Sequence, residues 1–229
     1  MAVMARDYVE VAGELDGFRK AMLANRRVAG LADVSPDHQA QAALTTGGTL
    51  LITGSDSIGD YANFNLRPGR RLAETGRISL LTGALPVTQF HGGFLLHALK
   101  VMAFLGNRRP KFVAGHSLGA AAAQIIGTAL QVPAIGFASP QVIRDDQPRV
   151  PGEGWVMNVV WKQDFVTEGY KLARMRNLGS VQELDSARSH FGIDHVVKDY
   201  VALLKADRAA AAPKLSAAWP RPGSRTAVA

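Results

Sequence analysis

The residues best placed to do chemistry lie within 111–127, which read KFVAGHSLGAAAAQIIG. Ser117 stands between Gly115 and Gly119, in the pattern G-x-S-x-G. In that pattern the serine occupies a sharp turn from a strand into a helix, and the turn holds its Oγ clear of the sheet. Side chains two residues away would collide with the neighbouring strand and helix, so glycine is needed there. The segment predicts a nucleophile, and an ordinary turn serine is the alternative.

An activated serine needs a base, and the base needs an acid that holds its tautomer and stabilises its charged form. For a serine in this kind of turn, the chain order is serine, acid, histidine. Asp164 stands three residues after the apolar run 155–161, in the turn that leaves it, so it occupies the expected place of the acid. Asp145 and Asp146 compete with it, since they follow an earlier strand. For Asp164 the alternative is a solvated loop carboxylate.

Two histidines in the stretch SHFGIDH are candidates for the base. His195 begins a predicted terminal helix whose apolar stripe along 196–204 would anchor it, and this favours His195. His190 precedes Gly192 in a freer loop and remains the second candidate. The remaining histidines near the predicted site are expected to have packing or structural roles: His91, His97 and His116.

An oxyanion hole requires backbone donors directed at the charge that develops on the substrate. The amide of Leu118, first in the helix after the serine, is one such donor. The apolar run that ends at Gly54 and Ser55 is the best source of a second. Ser55 could supply both its amide and its hydroxyl, so Ser55 and Leu118 are the predicted pair.

The elements that must position these residues alternate along the chain. Short apolar runs predict buried strands, and apolar residues at helical spacing predict helices. The alternation indicates an α/β domain with a mostly parallel central sheet flanked by helices. Strands are predicted at 48–55, 77–81, 112–114, 133–137 and 155–161, and helices at 7–31, 94–105, 118–130 and 195–205. Residues 1–205 are predicted to form one domain, followed by a disordered tail at 206–229 that is rich in alanine, proline, arginine and serine.

The amino-acid composition and charge exclude several classes of protein. The 229 residues are 47% hydrophobic, enough for one sizeable core, and the lack of cysteine excludes disulfides, cysteine-ligated metals and cysteine nucleophiles. The formal charge of +7 falls in short clusters without interleaved aromatics, so no nucleic-acid partner is expected. No signal peptide or membrane-spanning run is visible, which favours a cytoplasmic protein, with a secreted protein lacking its signal as the alternative.

Several motifs together resemble the class 3 lipases, the fungal-type triacylglycerol lipases of the α/β-hydrolase superfamily. The similar stretches appear in the family's order between residues 48 and 204. Two positions depart from the family's pattern: Thr53 stands for its arginine and Tyr61 for its tryptophan. The stretches are LLITGSDSIGDYANFNL, QFHGGFL, GHSLGAAAA, IGFASPQV and WKQDFV.

The resemblance implies an α/β-hydrolase fold and hydrolysis of carboxylic esters by a lipase or phospholipase through an acyl-enzyme. Carried over by position, it implies Ser117 as nucleophile, Asp164 as acid, a histidine before the last helix as base, and Ser55 with Leu118 as oxyanion donors. It implies a lipid or other ester as the binding partner, transient contact with a lipid surface as an option, and neither a metal nor an organic cofactor.

The spacing of the motifs leaves alternatives open. Asp164 and His195 are only 31 residues apart, so part of the acyl-binding wall of larger members would be missing. A small-ester esterase or a thioesterase is therefore an alternative. A catalytically silent α/β-hydrolase scaffold used for binding is an alternative of another class. The segment at the position of the family's lid, 57–66, is short and mildly apolar, which predicts weak or absent interfacial activation.

Overall fold

The computed structural model describes residues 31–34, 42–54, 72–74, 89–162, 164, 167, 174–184 and 200. Two α-helices, a short 3-10 helix at Glu153–Trp155 and eleven strands lie in this part of the chain. The helices are α1 (Gly92–Leu105) and α2 (Leu118–Leu130). The strands are β1 (Leu31–Val34), β2 (Ala42–Thr45), β3 (Thr49–Ile52), β4 (Leu72–Glu74), β5 (Gln89–His91), β6 (Phe112–His116), β7 (Ala134–Phe137), β8 (Ile143–Arg144), β9 (Val156–Trp161), β10 (Met175–Arg176) and β11 (Ser180–Leu184).

The main sheet has seven strands in the order β1-β2-β3-β6-β7-β9-β11. The five strands from β3 to β11 run parallel to one another, while β1 and β2 are added in antiparallel fashion at one edge. The predicted mostly parallel sheet is therefore confirmed. Because these strands are parallel, the residues after β3, β6, β7 and β9 lie together at the carboxyl ends of the strands, called the carboxyl edge of the sheet. This is the usual place for a site in an open α/β fold.

A second sheet was not predicted. It has the order β10-β8-β5-β4, and its strand pairs are all antiparallel. Its strands are two or three residues long, too short to show an alternating pattern in the sequence. Strand β5 leads directly into α1, so this small sheet fixes the start of that helix.

Helix α2 packs closely on the main sheet because small residues cover the contact. The four alanines 120–123 are fully buried, and their small side chains permit close helix-to-sheet packing. A Cβ atom built on Gly127 would lie 2.3 Å from the Cβ of Ala134, so the helix approaches β7 too closely for any side chain there. The core between α1, α2 and the sheet is aliphatic with Phe90 and Phe94 added.

The predicted helices at 94–105 and 118–130 are confirmed, and so are the strands predicted at 48–55, 112–114, 133–137 and 155–161, with bounds shifted by up to three residues. One boundary was wrong: the N-terminal helix was predicted to reach Leu31, which instead begins β1. The apolar helical spacing of that region ends at Met22, and the backbone of β1 finds its partners on β2.

Several predictions lie outside the described residues. They concern the strand at 77–81, the lid position at 57–66, the tail at 206–229, and most of the helices at 7–31 and 195–205. Of the last helix, Tyr200 is described and is helical. Within the described part of the chain, no helix has the length and hydropathy needed to cross a bilayer.

Candidate active site

Ser117 forms a sharp turn between β6 and α2. Its backbone has φ 54° and ψ −119°, a positive φ that non-glycine residues seldom adopt. Hydrogen bonds hold both sides of the turn: the Ser117 amide donates to the Phe137 carbonyl at 2.9 Å, and the Ala121 amide donates to the Ser117 carbonyl at 3.1 Å. A strained residue at the carboxyl edge of a parallel sheet is typical of a functional site.

The glycines that flank Ser117 are required by contact. A Cβ on Gly115 would lie 2.1 Å from the carbonyl oxygen of Gly119, and a Cβ on Gly119 would lie 2.3 Å from that of Ile52. The first turn of α2 therefore rests on the end of β6, and it also touches the end of β3. The steric reason given for the two glycines from the sequence is confirmed.

The chain leaving β3 passes directly beside Ser117. A Cβ built on Gly54 would lie 3.2 Å from the Ser117 Cβ and 3.2 Å from His116 Nδ1. Ser55, the predicted second oxyanion donor, is the next residue and lies outside the described residues. Its role therefore stays a prediction.

Leu118 begins α2, as predicted. The first amides of a helix have no carbonyl partner within the helix, and the Ser117 side chain makes no capping hydrogen bond. No acidic residue stands in the first turn of α2. The amides at this end, with the positive end of the helix dipole, can therefore stabilise a negative charge that develops beside Ser117.

Asp164 follows β9 and is fully buried. The Tyr200 hydroxyl donates to its Oδ2 at 3.0 Å, and the Thr167 amide lies 3.4 Å from its Oδ1. The backbone of Asp164 is also fixed, because its amide donates to the Trp161 carbonyl at 3.0 Å and its carbonyl accepts from Thr167 Oγ1 at 2.9 Å. A carboxylate with this burial and these donors is not the solvated loop residue that was the alternative.

Asp145 and Asp146, the competing acids, lie in a different environment. Both follow β8 in the second sheet, and both are exposed. Asp145 lies 3.7 Å from the guanidinium of Arg174, and Asp146 lies 3.5 Å from that of Arg144. The hydrogen bond from Gln147 is the main cause that lowers the pKa of Asp146, and the charge of Arg144 adds to it. They are surface ion pairs, which leaves Asp164 as the candidate acid.

Ser117 and Asp164 leave parallel strands that are separated by β7 alone. At the usual spacing between strands, the ends of β6 and β9 are about 10 Å apart. A ring contact crosses part of this gap, because the His116 and Tyr200 rings meet edge to face with their centroids 6.1 Å apart. The structure thus places the candidate nucleophile and the candidate acid at the same edge of the sheet.

The two candidate bases, His190 and His195, lie outside the described residues. The three histidines with predicted packing or structural roles, His91, His97 and His116, are buried, in agreement with those roles. The His91 ring lies 4.4 Å from that of Phe94, and His97 is on the buried face of α1. In the portion of the chain that the structure describes, no group of three or more acidic or histidine side chains could hold a metal ion.

Sequence reasoning missed the polar partners of the site. Tyr200 was predicted as part of an apolar stripe and, by the family resemblance, as the aromatic residue after the terminal histidine, whereas its hydroxyl binds the candidate acid. Gln124 appeared only as one residue of α2, yet it is fully buried and joins two loops. Its Nε2 donates to the Pro140 carbonyl at 2.9 Å, and its Oε1 accepts from the Leu178 amide at 3.0 Å. A polar residue on an otherwise apolar helix face was the signal that could have found it.

Comparison with known proteins bears on the fold. No family model matches this chain, and no curated protein matches it. Among solved structures, lipase II from Rhizopus niveus is similar with a TM-score of 0.52 and 15% identity, over 87% of this chain and 89% of that chain. A deletion mutant of the Rhizomucor miehei lipase propeptide complex is similar with a TM-score of 0.50 and 12% identity, over 86% of this chain and 74% of that chain.

Lip2 lipase from Yarrowia lipolytica gives a TM-score of 0.45 and 16% identity over 68% of this chain. This chain covers 64% of that lipase, which is less than two thirds of its length. At these identities, the likeness to the Rhizopus and Rhizomucor structures establishes the fold. The α/β-hydrolase fold implied by the sequence motifs is confirmed, and the likeness to fungal lipases holds at the level of structure.

Proposed function

We propose that the protein hydrolyses carboxylic esters by a lipase-type mechanism, with a lipid ester as substrate. The observation that carries the proposal is the backbone of Ser117, held at φ 54° between two glycines at which any Cβ atom would collide with backbone carbonyl groups. Such strain persists only where the surrounding structure enforces it, and here it serves to lift one hydroxyl out of the sheet. The buried carboxylate of Asp164 at the same edge supports this assignment.

The proposed reaction has two halves. The Ser117 Oγ attacks the ester carbonyl carbon while the base takes its proton, and the resulting oxyanion binds the amides of Leu118 and Ser55. The bond from carbon to the alcohol oxygen then breaks as the base returns that proton to the departing alcohol, which leaves the acyl group on Ser117. Water, deprotonated by the same base, attacks the carbonyl carbon of the acyl-enzyme. The bond from that carbon to Ser117 Oγ then breaks as the base returns the proton to Oγ, and the acid product leaves.

We assign the base to His195 and keep His190 as the second candidate. Tyr200 is hydrogen-bonded to Asp164, so it anchors the terminal segment at the acid. His195 is five residues before Tyr200 and cannot lie more than about 18 Å from it along the chain, whereas ten residues let His190 lie up to about 36 Å away. An imidazole between Asp164 and Ser117 would occupy the gap across β7.

The test is the initial rate of hydrolysis of p-nitrophenyl esters from acetate to palmitate. We expect Ser117→Ala and His195→Ala to lose at least about a thousandfold in kcat, while His190→Ala keeps most activity. Ser180→Ala is the matched control, because it removes an exposed serine hydroxyl at the amino end of β11, on the side of the sheet opposite the candidate site. It should leave the rate within about twofold of the wild type, since no proposed step uses that hydroxyl.

The profile over chain length decides the substrate class. A rate that stays high on long acyl chains supports a lipase. A rate that falls steeply beyond short acyl chains rejects the lipase assignment in favour of a small-ester esterase. If His190→Ala loses activity and His195→Ala retains it, the base is His190 and not His195. A wild type no faster than Ser117→Ala on every ester rejects ester hydrolysis and favours a binding scaffold.

A further inference from the structure

Tyr200 is the most constrained polar side chain beside the candidate acid. It is fully buried, and its hydroxyl lies between two groups, the amide of Trp161 at 3.0 Å and the Oδ2 of Asp164 at 3.0 Å. Both partners belong to the end of β9 and the turn that follows it. The hydroxyl therefore bridges the last amide of a strand and the carboxylate that the strand positions.

The direction of these two hydrogen bonds is determined by chemistry. A backbone amide can only donate, so the Trp161 amide occupies a lone pair of the phenol oxygen. The single phenolic proton then points to Asp164 Oδ2, which must accept it. Tyr200 acts as a fixed donor to one oxygen of the carboxylate, and this restricts rotation of the Asp164 side chain.

The ring of Tyr200 is held as firmly as its hydroxyl. It meets the Trp161 ring edge to face at 6.2 Å and the His116 ring edge to face at 6.1 Å. His116 immediately precedes Ser117, so the tyrosine touches the strand of the nucleophile and the strand of the acid at once. A side chain with only an anchoring role in the apolar stripe would not need its hydroxyl at this place.

We propose that Tyr200 is the positioning residue of the acid: its hydroxyl orients the Asp164 carboxylate, and its ring sets the spacing between the acid and the strand that carries Ser117. The proposal rests on the proposed function, because orientation of the carboxylate matters only if Asp164 holds the base. Tyr200 does not touch the substrate, so its effect on the rate passes through Asp164.

The test is a double-mutant cycle with Tyr200→Phe and Asp164→Asn, measured as kcat and KM on p-nitrophenyl butyrate. Tyr200→Phe keeps the ring and removes the hydroxyl. We expect it to lower kcat by about 10- to 100-fold, the range for one hydrogen bond to a charged group, with KM changed less than about twofold. In the Asp164→Asn background the same substitution should change kcat by less than about twofold, because two substitutions that act through one group are not additive.

A second measurement separates an effect on the active site from a loss of folded protein. The rate at which a fluorophosphonate labels Ser117 is measured in all four proteins and expressed per folded molecule, with the folded fraction taken from urea unfolding. Val132→Ala is the control for stability alone, since it removes buried methyl groups at the amino end of β7, the opposite edge of the sheet. It should keep the kcat and the labelling rate of the wild type.

The outcomes separate the two proposals. A Tyr200→Phe variant with the kcat of the wild type, or one whose loss multiplies with that of Asp164→Asn, overturns the positioning role and leaves ester hydrolysis intact. A Val132→Ala variant that loses as much kcat as Tyr200→Phe also overturns it, because stability would then explain the loss. A wild type no faster than Ser117→Ala rejects the proposed function, and the role of Tyr200 with it.

Discussion

Ser117, the proposed nucleophile, has a strained backbone conformation. A non-glycine residue at φ 54° is destabilised by about 1–2 kcal/mol relative to ordinary backbone. The contacts around it leave no room to relax, because the chain after β3 passes on one side at Gly54 and the first turn of α2 closes the other. The conformation is therefore imposed on Ser117 by its neighbours.

Gly119→Ala tests the steric need for glycine beside Ser117. The new Cβ would lie 2.3 Å from the Ile52 carbonyl oxygen, so either α2 or the end of β3 must move. We expect the free energy of unfolding to fall by about 3 kcal/mol, measured by urea unfolding, and fluorophosphonate labelling of Ser117 to be lost with it.

Gly47→Ala is the matched control. Among the described residues, a Cβ on Gly47 would meet only the Thr45 Oγ1, at an ordinary 3.8 Å. The free energy of unfolding of Gly47→Ala should therefore stay within about 0.5 kcal/mol of the wild type. Equal stability of Gly119→Ala and Gly47→Ala would contradict the steric account of the turn.

Helix α2 is the element that joins the site to the rest of the fold. Its first turn carries the Leu118 amide, the proposed oxyanion donor, and Gln124 further along the helix binds the loop after β7 and the loop before β11. Asn177 strengthens the same junction, since its Nδ2 donates to Gln124 Oε1 at 3.3 Å and to the Pro140 carbonyl at 3.1 Å. A buried side chain that satisfies several backbone groups is costly to remove.

We therefore predict that Gln124→Leu lowers the free energy of unfolding by about 2 kcal/mol, because the Leu178 amide loses its acceptor in a buried place. Urea unfolding measures the loss.

Thr128→Val, one turn further along α2, should change stability in the opposite direction. The Thr128 Oγ1 is buried and has no hydrogen-bond partner among the described residues.

Removing the Thr128 hydroxyl without changing the shape of the side chain should raise the free energy of unfolding by about 1 kcal/mol. A pair of variants on one helix that shift stability in opposite directions would confirm the account of buried polar groups. A loss in Thr128→Val as large as that in Gln124→Leu would refute it, since both would then reflect packing alone.

For the molecule as a whole, the parallel arrangement from β3 to β11 brings the candidate site together from distant parts of the sequence. Gly54, Ser117, Asp164 and Tyr200 span 146 positions of the chain, yet ring contacts, hydrogen bonds and close approaches link them at one edge of the sheet. The site therefore exists only when the whole sheet is assembled, so loss of the site and global unfolding should coincide.

At this scale we also expect weak or absent interfacial activation. The segment 57–66, where the lipase resemblance would place a lid, is short and only mildly apolar in sequence, so a lid there would expose little apolar surface to a lipid. The measurement is the initial rate on a short-chain triacylglycerol as its concentration passes the solubility limit. A rate that follows simple saturation agrees with the prediction, and a sharp rise at the limit contradicts it.

Local chemistry explains what the sequence by itself determined. The glycines around Ser117, the alanine-rich face of α2 and the apolar runs of β3, β6, β7 and β9 are local patterns whose meaning depends on neighbours in the chain. They were enough to predict the fold class, the turn at Ser117 and the start of α2 at Leu118. Asp164 could be named as a candidate acid as well, because it follows a strand within three residues.

Only the tertiary structure decided the features that depend on contacts between distant residues. The second sheet consists of strands too short to leave a pattern, and β1 exists because β2 supplies its partners. The choice of Asp164 over Asp145 and Asp146 required burial, which spacing does not reveal. The bonds of Tyr200 to Asp164 and of Gln124 to Pro140 join residues 36 and 16 positions apart, and hydrogen bonds of that range have no signature in the local sequence.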